Sequence, residues 1–257
     1  MAVTIDLTDQ SAIVFGVANH RSIAWAIALS LEEAGANVYV TYQNERMGRN
    51  VLNLVQEFDR IHAVECDVLD TNSVESAIAI ASANYPLSSV VHSVAFANKD
   101  DLEGSFSSTG VDGFRTALEV SAYSLLPITK AAAGKMTNGG SIITLTFHAA
   151  DKVYPGYNVM GVAKAALENE VKQLAAEYGA QGIRVNAVSA GPLNTLAARG
   201  ISGFTGMHEI HASRSPLQRN ITQEEVGSAA LFLLSPLASG VTGHILYVDA
   251  GYNVMGV

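Results

Sequence analysis

Short apolar runs alternate with longer amphipathic segments along most of the chain. The short runs are rich in β-branched residues and predict strands at Ala12–Phe15, Val38–Tyr42, His62–Cys66, Ser89–Ser93, Ser141–Phe147, Arg184–Ser189 and Ile245–Val248. Helical periodicity fills the intervals at Ser22–Ala34, Glu45–Glu57, Ser73–Asn84, Gly113–Lys135, Val159–Tyr178 and Gln223–Leu234. This alternation predicts an α/β fold, a single-domain, Rossmann-like, doubly wound sheet of about seven parallel strands with helices on both faces.

Two long connections interrupt the alternation, Ala95–Gly110 and Gly191–Ser215. Both follow strands, and ligands of open parallel sheets bind at the carboxyl ends of the strands. We therefore expect a substrate lid within about residues 193–215. No linker or change of composition divides the chain, so residues 1–257 are predicted to form one dinucleotide-binding reductase domain.

Composition and charge exclude several classes of function. Hydrophobic residues make up 49% of the 257 residues and charged residues only 15%, which fits strands buried on both faces and further burial between subunits. The net charge of −9 disfavours nucleic acid, and no apolar stretch has the length of a membrane span. One cysteine, Cys66, rules out an internal disulfide framework, and the first residues lack the basic segment of a signal peptide. We expect a cytoplasmic protein.

The first strand leads into a loop, Gly16 to Ala24, that contains only one glycine and lacks the G-x-G-x-x-G fingerprint. Gly16 allows a tight turn, and Ser22 is a good N-cap for a helix whose free amides would bind a pyrophosphate. An ordinary strand–loop–helix connection explains the same residues equally well.

Polar residues after the next two strands suit the adenosine half of a dinucleotide. Gln43 follows the second strand where an acidic residue usually binds the ribose, and Arg46 and Arg49 lie one turn further along. With no base directly after the strand, NADH is favoured over NADPH. Asp67 after the third strand suits the adenine amine, although a turn or N-cap role is at least as common.

Tyr157 and Lys164 are seven residues apart, which on a helix places both side chains on one stripe about 10 Å apart along the axis. A cation there can hold a cofactor while the phenol hydrogen-bonds an oxygen that gains charge. On spacing alone, the ordinary interpretation is a tyrosine on a helix flank and a surface lysine.

His208 and His211 are three residues apart without further ligands, so we expect surface histidines and no metal site.

The whole set of segments resembles the short-chain dehydrogenase/reductase superfamily and, within it, the divergent NADH-dependent bacterial enoyl-acyl-carrier-protein reductases. The resemblance covers nearly the whole chain and rests on the motifs at 16–24, 41–43, 66–68, 91–97, 157–164, 184–192 and 240–249. Ordinary members of the superfamily carry Thr-Gly-x-x-x-Gly-x-Gly after the first strand and Asn-Asn-Ala-Gly after the fourth. This chain has neither, and it has Thr144 where those members have serine. It also has Phe147 where many enoyl reductases have a second tyrosine.

The resemblance implies NADH-dependent reduction of a trans-2-enoyl thioester on acyl carrier protein, in the elongation cycle of fatty acid biosynthesis. Tyr157 and Lys164 would be catalytic, with Ala97, Phe147, Tyr157 and Met160 around the substrate and Ile201, Phe204 and Met207 extending an apolar slot. The residues that would bind the cofactor are Gly16, Ser22, Ile23, Gln43, Asp67, Val68, Val94, Lys164, Leu193, Asn194, Thr195, Leu196 and Ala197. Without the resemblance, core packing is the preferred interpretation of Val94, Leu193 and Leu196. Arg199, Arg214 and Arg219 would offer positive charge to the acidic carrier protein, although surface arginines usually serve only solubility.

The resemblance also implies a homotetramer. Two alternatives remain open at this point, namely an ordinary short-chain carbonyl reductase, such as a 3-oxoacyl reductase, and a dinucleotide sensor without catalytic activity. Retention of both Tyr157 and Lys164 disfavours the sensor, and the glycine-poor first loop disfavours the carbonyl reductase.

Overall fold

A computed structural model describes residues 4–196, 198 and 203–256 of the chain. Its seven strands are β1 (Ser11–Phe15), β2 (Asn37–Tyr42), β3 (Ile61–Glu65), β4 (Leu87–His92), β5 (Gly140–Thr146), β6 (Ile183–Ala190) and β7 (Ile245–Val248). All neighbouring strands pair in parallel, in the order β3-β2-β1-β4-β5-β6-β7. The predicted α/β sheet is confirmed. The strand order reverses between β1 and β4, and this is the point where ligands bind in such sheets.

Nine α-helices connect the strands within the described residues. They are α1 (Ile23–Glu33), α2 (Glu45–Val55), α3 (Thr71–Ala81), α4 (Lys99–Leu102), α5 (Val111–Leu118), α6 (Leu125–Ala133), α7 (Asn158–Tyr178), α8 (Phe204–Arg214) and α9 (Gln223–Leu234). Along β1, Ala12 and Val14 pack with α1 and α9, whereas Ile13 and Phe15 pack with α3, α6 and α7. The strands therefore bury both faces, as the nearly continuous apolar runs predict. No helix in the described part of the chain has the length and apolar character needed to cross a membrane.

The prediction of one unbroken helix over Gly113–Lys135 is wrong in detail. The helix is divided into α5 and α6 by a π-helical turn at Glu119–Tyr123. Ser121 and Ser124 in and after this turn direct their hydroxyls to other groups: Ser121 Oγ donates to the Phe96 carbonyl and accepts from the Phe96 amide, and Ser124 Oγ lies 2.8 Å from a ring nitrogen of His92. The extra residue of a π turn thus places two hydroxyls beside the loop that follows β4.

Both long connections contain helices that the sequence pattern does not reveal. The first holds α4, and the second holds α8, which covers the C-terminal part of the predicted lid. The predicted lid residues 197 and 199–202 lie outside the described residues.

Candidate active site

The turn from β1 into α1 has the properties of an anion site. Gly16 has φ +94°, and the Cβ of any other residue there would collide with the Ser93 carbonyl oxygen. Ser22 Oγ accepts hydrogen bonds from the amides of Ala18 and Asn19, both at 3.1 Å, and so closes the loop. Helix α1 begins at Ile23, with no acidic residue in its first turn. Its first amides have no partner within the helix and lie at the positive end of the dipole, so the turn fits a pyrophosphate.

The loop after β6 lies beside this turn. Leu196, 54% exposed, lines a cavity of about 210 Å³ together with Asn19, His20 and Arg21. Thr195 Oγ1 accepts from the Ala198 amide at 3.1 Å. Of the other residues in this segment that were predicted to bind cofactor, Leu193 is buried in the core, Asn194 is exposed, and Ala197 lies outside the described residues.

The predicted adenosine site lies at the ends of β2 and β3, which are neighbours in the sheet. Gln43 is exposed directly after β2, and both Arg46 and Arg49 are exposed on α2. One Asp67 oxygen accepts from the Leu69 amide at 3.0 Å, which is the turn role that the sequence left open. Val68 is half-buried against the core.

Beside the switch point, the end of β4 is held by a buried histidine. Val94 is half-buried, and its amide nitrogen lies next to the Gly16 position. His92 is fully buried, with its Nδ1 2.8 Å from Thr144 Oγ1 and its Nε2 2.8 Å from Ser124 Oγ. Burial, reinforced by the nearby charge of Lys164, lowers the pKa of His92 to about 3, so the ring is neutral. Sequence reasoning assigned His92 no role, although a histidine inside an apolar strand is a recognisable signal.

Lys164 is buried in the second turn of α7. Its Nζ donates to the Leu145 carbonyl at 2.7 Å, which fixes the ammonium behind the end of β5. Burial lowers the pKa of Lys164 to about 8, against the opposing effect of Glu168. A surface lysine is therefore excluded, because the residue is only 5% exposed and its ammonium is held by a backbone carbonyl.

Tyr157 lies immediately before α7 and is half-buried. Its ring contacts Phe147 edge to face, with centroids 5.2 Å apart, and it packs on a small cluster that includes Met160 and receives Ala97. The four predicted substrate residues are thus neighbours in space. Burial raises the pKa of the Tyr157 phenol, which keeps it protonated and able to donate a hydrogen bond.

A surface opening lies beside the two residues that precede this tyrosine. A cavity of about 470 Å³ is lined by Glu103, Gly104, Pro155, Gly156 and Gly203. Asn158, which has a positive φ of 26°, donates from Nδ2 to the carbonyls of Glu103 and Gly104 at 3.3 Å each. The loop after β4 is thereby attached to the residue that follows Tyr157.

The residues predicted to face the carrier protein or to extend the apolar slot differ in exposure and in pairing. Arg214 is exposed at the end of α8, but Arg219 forms a two-pronged ion pair with Glu225 at 2.6 and 2.8 Å, so its charge is offset. Phe204 and Met207 are half-buried on α8, and Arg199 and Ile201 lie outside the described residues.

The expectation of two surface histidines on α8 is wrong for His211, which is only 2% exposed. Its ring stacks on Tyr252, with centroids 3.6 Å apart. No group of three potential metal ligands exists in the described part of the chain.

Comparison with known proteins identifies the family. The family model described as Enoyl-(Acyl carrier protein) reductase matches residues 16–253. The chain is 46% identical over 251 residues to enoyl-acyl-carrier-protein reductase (NADH) FabI of Rickettsia typhi, covering 97% of this chain and 96% of the relative. It is 46% identical over 257 residues to the FabI reductase of Nostoc sp., covering 98% of this chain and 100% of the relative.

Solved structures agree with this assignment. The Bacillus cereus enoyl-acyl carrier protein reductase with NADP+ and indole naphthyridinone has a TM-score of 0.95 at 45% identity, covering 99% of this chain and 100% of that chain. The reductase of Anaplasma phagocytophilum in complex with NAD has a TM-score of 0.94 at 44% identity, covering 100% and 98%. The fold, the glycine-poor anion turn and these similarities agree, and the chain belongs to the enoyl-(acyl carrier protein) reductase family.

Proposed function

We propose that this protein reduces the trans-2 double bond of enoyl thioesters on acyl carrier protein, using NADH, in fatty acid elongation. The observation that carries the site assignment is that both residues are attached to the carboxyl end of β5: the Lys164 ammonium donates to the Leu145 carbonyl, and the Tyr157 ring packs on Phe147 directly after that strand. Family membership supports the reaction class, and the relatives are NADH-dependent reductases.

The residues present fit a nicotinamide dinucleotide. The absence of a side chain at Gly16 leaves space that any other residue would fill. The amides of the first turn of α1 and of the loop closed by Ser22 would donate hydrogen bonds to a pyrophosphate, and the Lys164 ammonium would donate to ribose hydroxyls. We assign the remaining contacts to Ile23, Gln43, Asp67, Val68, Val94 and the segment 193–197. When bound, NADH supplies the hydride for the β carbon of the substrate.

Tyr157 would act on the other end of the conjugated thioester. As the β carbon is reduced, negative charge collects on the thioester oxygen, and a donor aimed at that oxygen stabilises it by about 3 kcal/mol. The Tyr157 hydroxyl is the donor that we assign. Because Phe147 has no hydroxyl, this stabilisation falls more heavily on Tyr157 than in relatives with a second tyrosine. The proton for the α carbon comes from Tyr157 or from water.

A steady-state assay tests the reaction class. We expect oxidation of NADH with crotonyl-CoA and little with acetoacetyl-CoA. Turnover of the ketone alone would establish the carbonyl reductase alternative, and NADH binding without reduction of enoyl thioesters of any length would favour the sensor.

We further propose a homotetramer of the 27.0-kDa chain. It is supported by exposed apolar side chains on or beside α5, including Phe106, Val111, Phe114 and Tyr123. Light scattering that gives a monomer would contradict it. The cytoplasmic location stays a prediction, which cell fractionation would test.

A further inference from the structure

Four aromatic and imidazole rings meet beside the active site, and we call His148, Tyr154, His211 and Tyr252 the ring cluster. The Tyr154 hydroxyl lies 3.2 Å from His148 Nδ1 and 3.5 Å from His211 Nε2. His211 stacks on Tyr252, and His148 contacts the edge of the same tyrosine at 6.3 Å. The cluster therefore joins the end of β5, the loop before α7, helix α8 and the segment after β7.

Burial favours the neutral form of both imidazoles of the ring cluster. Burial lowers the pKa of His211 to about 4 and also lowers the pKa of His148. Two carboxylates lie near these rings. Asp151, near His148, is paired with Lys152 at 2.9 Å, and Asp249 accepts from the amides of Gly251 and Asn253 and from the Asn253 side chain. A neutral imidazole has one donor and one acceptor, and one tyrosine hydroxyl can donate to one ring while it accepts from the other.

Tyr154 also connects the ring cluster to the catalytic phenol. Its ring packs on Phe147 with centroids 4.7 Å apart, and Phe147 in turn packs on Tyr157. The Tyr157 amide donates to the Tyr154 carbonyl at 3.2 Å, so a tight turn joins the two tyrosines. A continuous path of contacts thus runs from His211 on α8 through Tyr154 and Phe147 to Tyr157.

We infer that Tyr154 is a positioning residue that holds α8 against the active-site wall through His211 and His148 while supporting Phe147 beneath Tyr157. This inference rests on the proposed function, because α8 carries Phe204 and Met207 of the proposed acyl slot. A hydroxyl at Tyr154 fixes the position of α8, and the Tyr154 ring fixes Phe147.

Two substitutions separate these roles. Tyr154→Phe keeps the ring and removes the hydroxyl, so we expect KM for a long enoyl thioester to rise about five-fold, the equivalent of one ordinary hydrogen bond, while kcat changes less than two-fold. Tyr154→Leu removes the ring as well and should lower kcat in addition. Tyr85→Phe is the matched control, because Tyr85 is an exposed tyrosine in the loop before β4.

Hydrogen exchange provides a readout that does not require turnover. Tyr154→Phe should speed amide exchange in α8 about five-fold and leave α9 unchanged. His211→Phe, which keeps a flat ring on Tyr252, should have the same effect, and the double variant should exchange no faster than either single variant. Unchanged exchange in α8, or strictly additive effects, would overturn the inference even if the protein proves to have another activity. Faster exchange with no enoyl reduction in the wild type would support the positioning role and refute the proposed function.

Discussion

Replacement of Tyr157 by phenylalanine tests the centre of the proposed mechanism. The substitution removes one oxygen atom and keeps the ring that packs edge to face on Phe147. Among the described residues, no protein group hydrogen-bonds to the Tyr157 hydroxyl, so its loss leaves no buried partner unsatisfied. We therefore expect the fold to be preserved, with a change in the free energy of unfolding of about 0.5 kcal/mol or less.

The expected effect on the reaction is much larger. A single donor to a developing oxyanion is worth about 3 kcal/mol, and each 1.36 kcal/mol changes the rate about ten-fold. Because Phe147 offers no second hydroxyl, kcat should fall by about 100- to 1000-fold. The NADH dissociation constant should change less than about three-fold, since Lys164 and the α1 turn are untouched.

Steady-state oxidation of NADH with crotonyl-CoA gives kcat, and NADH fluorescence gives the dissociation constant. Phe147→Leu serves as a control for packing, because it disturbs the same ring contact and leaves the phenol in place. A Tyr157→Phe enzyme with more than a third of the wild-type kcat would refute the donor role. So would a loss of turnover that merely follows a loss of NADH binding or of thermal stability.

Three further predictions concern cofactor binding and stability. Lys164→Met should lower both kcat and NADH affinity, and wild-type affinity should weaken as pH rises through about 8, where the ammonium loses its proton; a flat titration of the dissociation constant would contradict this. Gly16→Ala should abolish measurable NADH binding or lower the free energy of unfolding by about 1–3 kcal/mol, as measured by thermal melting. Gly104→Ala is the control: Gly104 also has a positive φ (+71°) but lies in open space, so this variant should lose only the stability that corresponds to backbone strain. Because the pKa of His92 is lowered to about 3, the unfolded chain binds the proton first, so this imidazole should contribute a loss of stability of about 2 kcal/mol on going from about pH 7.5 to about pH 5 in urea unfolding. His92→Asn should remove that share of the pH dependence and leave the share that comes from His211 and His148, whose pKa values are also lowered.

The local pattern of the chain was sufficient for the architecture. Strands buried on both faces require continuous apolar runs, and all seven predicted strands are present with ends that differ by at most two residues. The positions of the candidate cofactor-binding residues at the carboxyl ends of strands could also be predicted from the sequence, because Gly16, Gln43 and Asp67 each follow a predicted strand. Helix α7 begins at Asn158, one residue before the predicted start, so Tyr157 lies directly before the helix, whereas the seven-residue spacing predicts a position on it.

Several features depended on contacts between distant segments. The π turn after α5 forms where Ser121 and Ser124 find partners on Phe96 and His92, and helical periodicity carries no signal of those partners. The positive charge of Arg219 is offset by an ion pair with Glu225, which is six residues further along the chain and on the other side of a turn. Burial of Lys164 and the shift of its pKa likewise come from β5 packing over α7.

The histidine pair on α8 shows most clearly what the sequence alone could not predict. In the sequence, His208 and His211 are two histidines in a long connection between predicted elements, and surface exposure is the ordinary expectation. The fold instead brings Tyr252, distant in sequence, to within 3.6 Å of the His211 ring and places Tyr154 beside both. Backbone propensity and the spacing of apolar residues are local properties, and these determine which elements form. Which side chains share a site is decided by the crossovers of the sheet, because only tertiary packing brings the carboxyl ends of the strands and their loops to one edge.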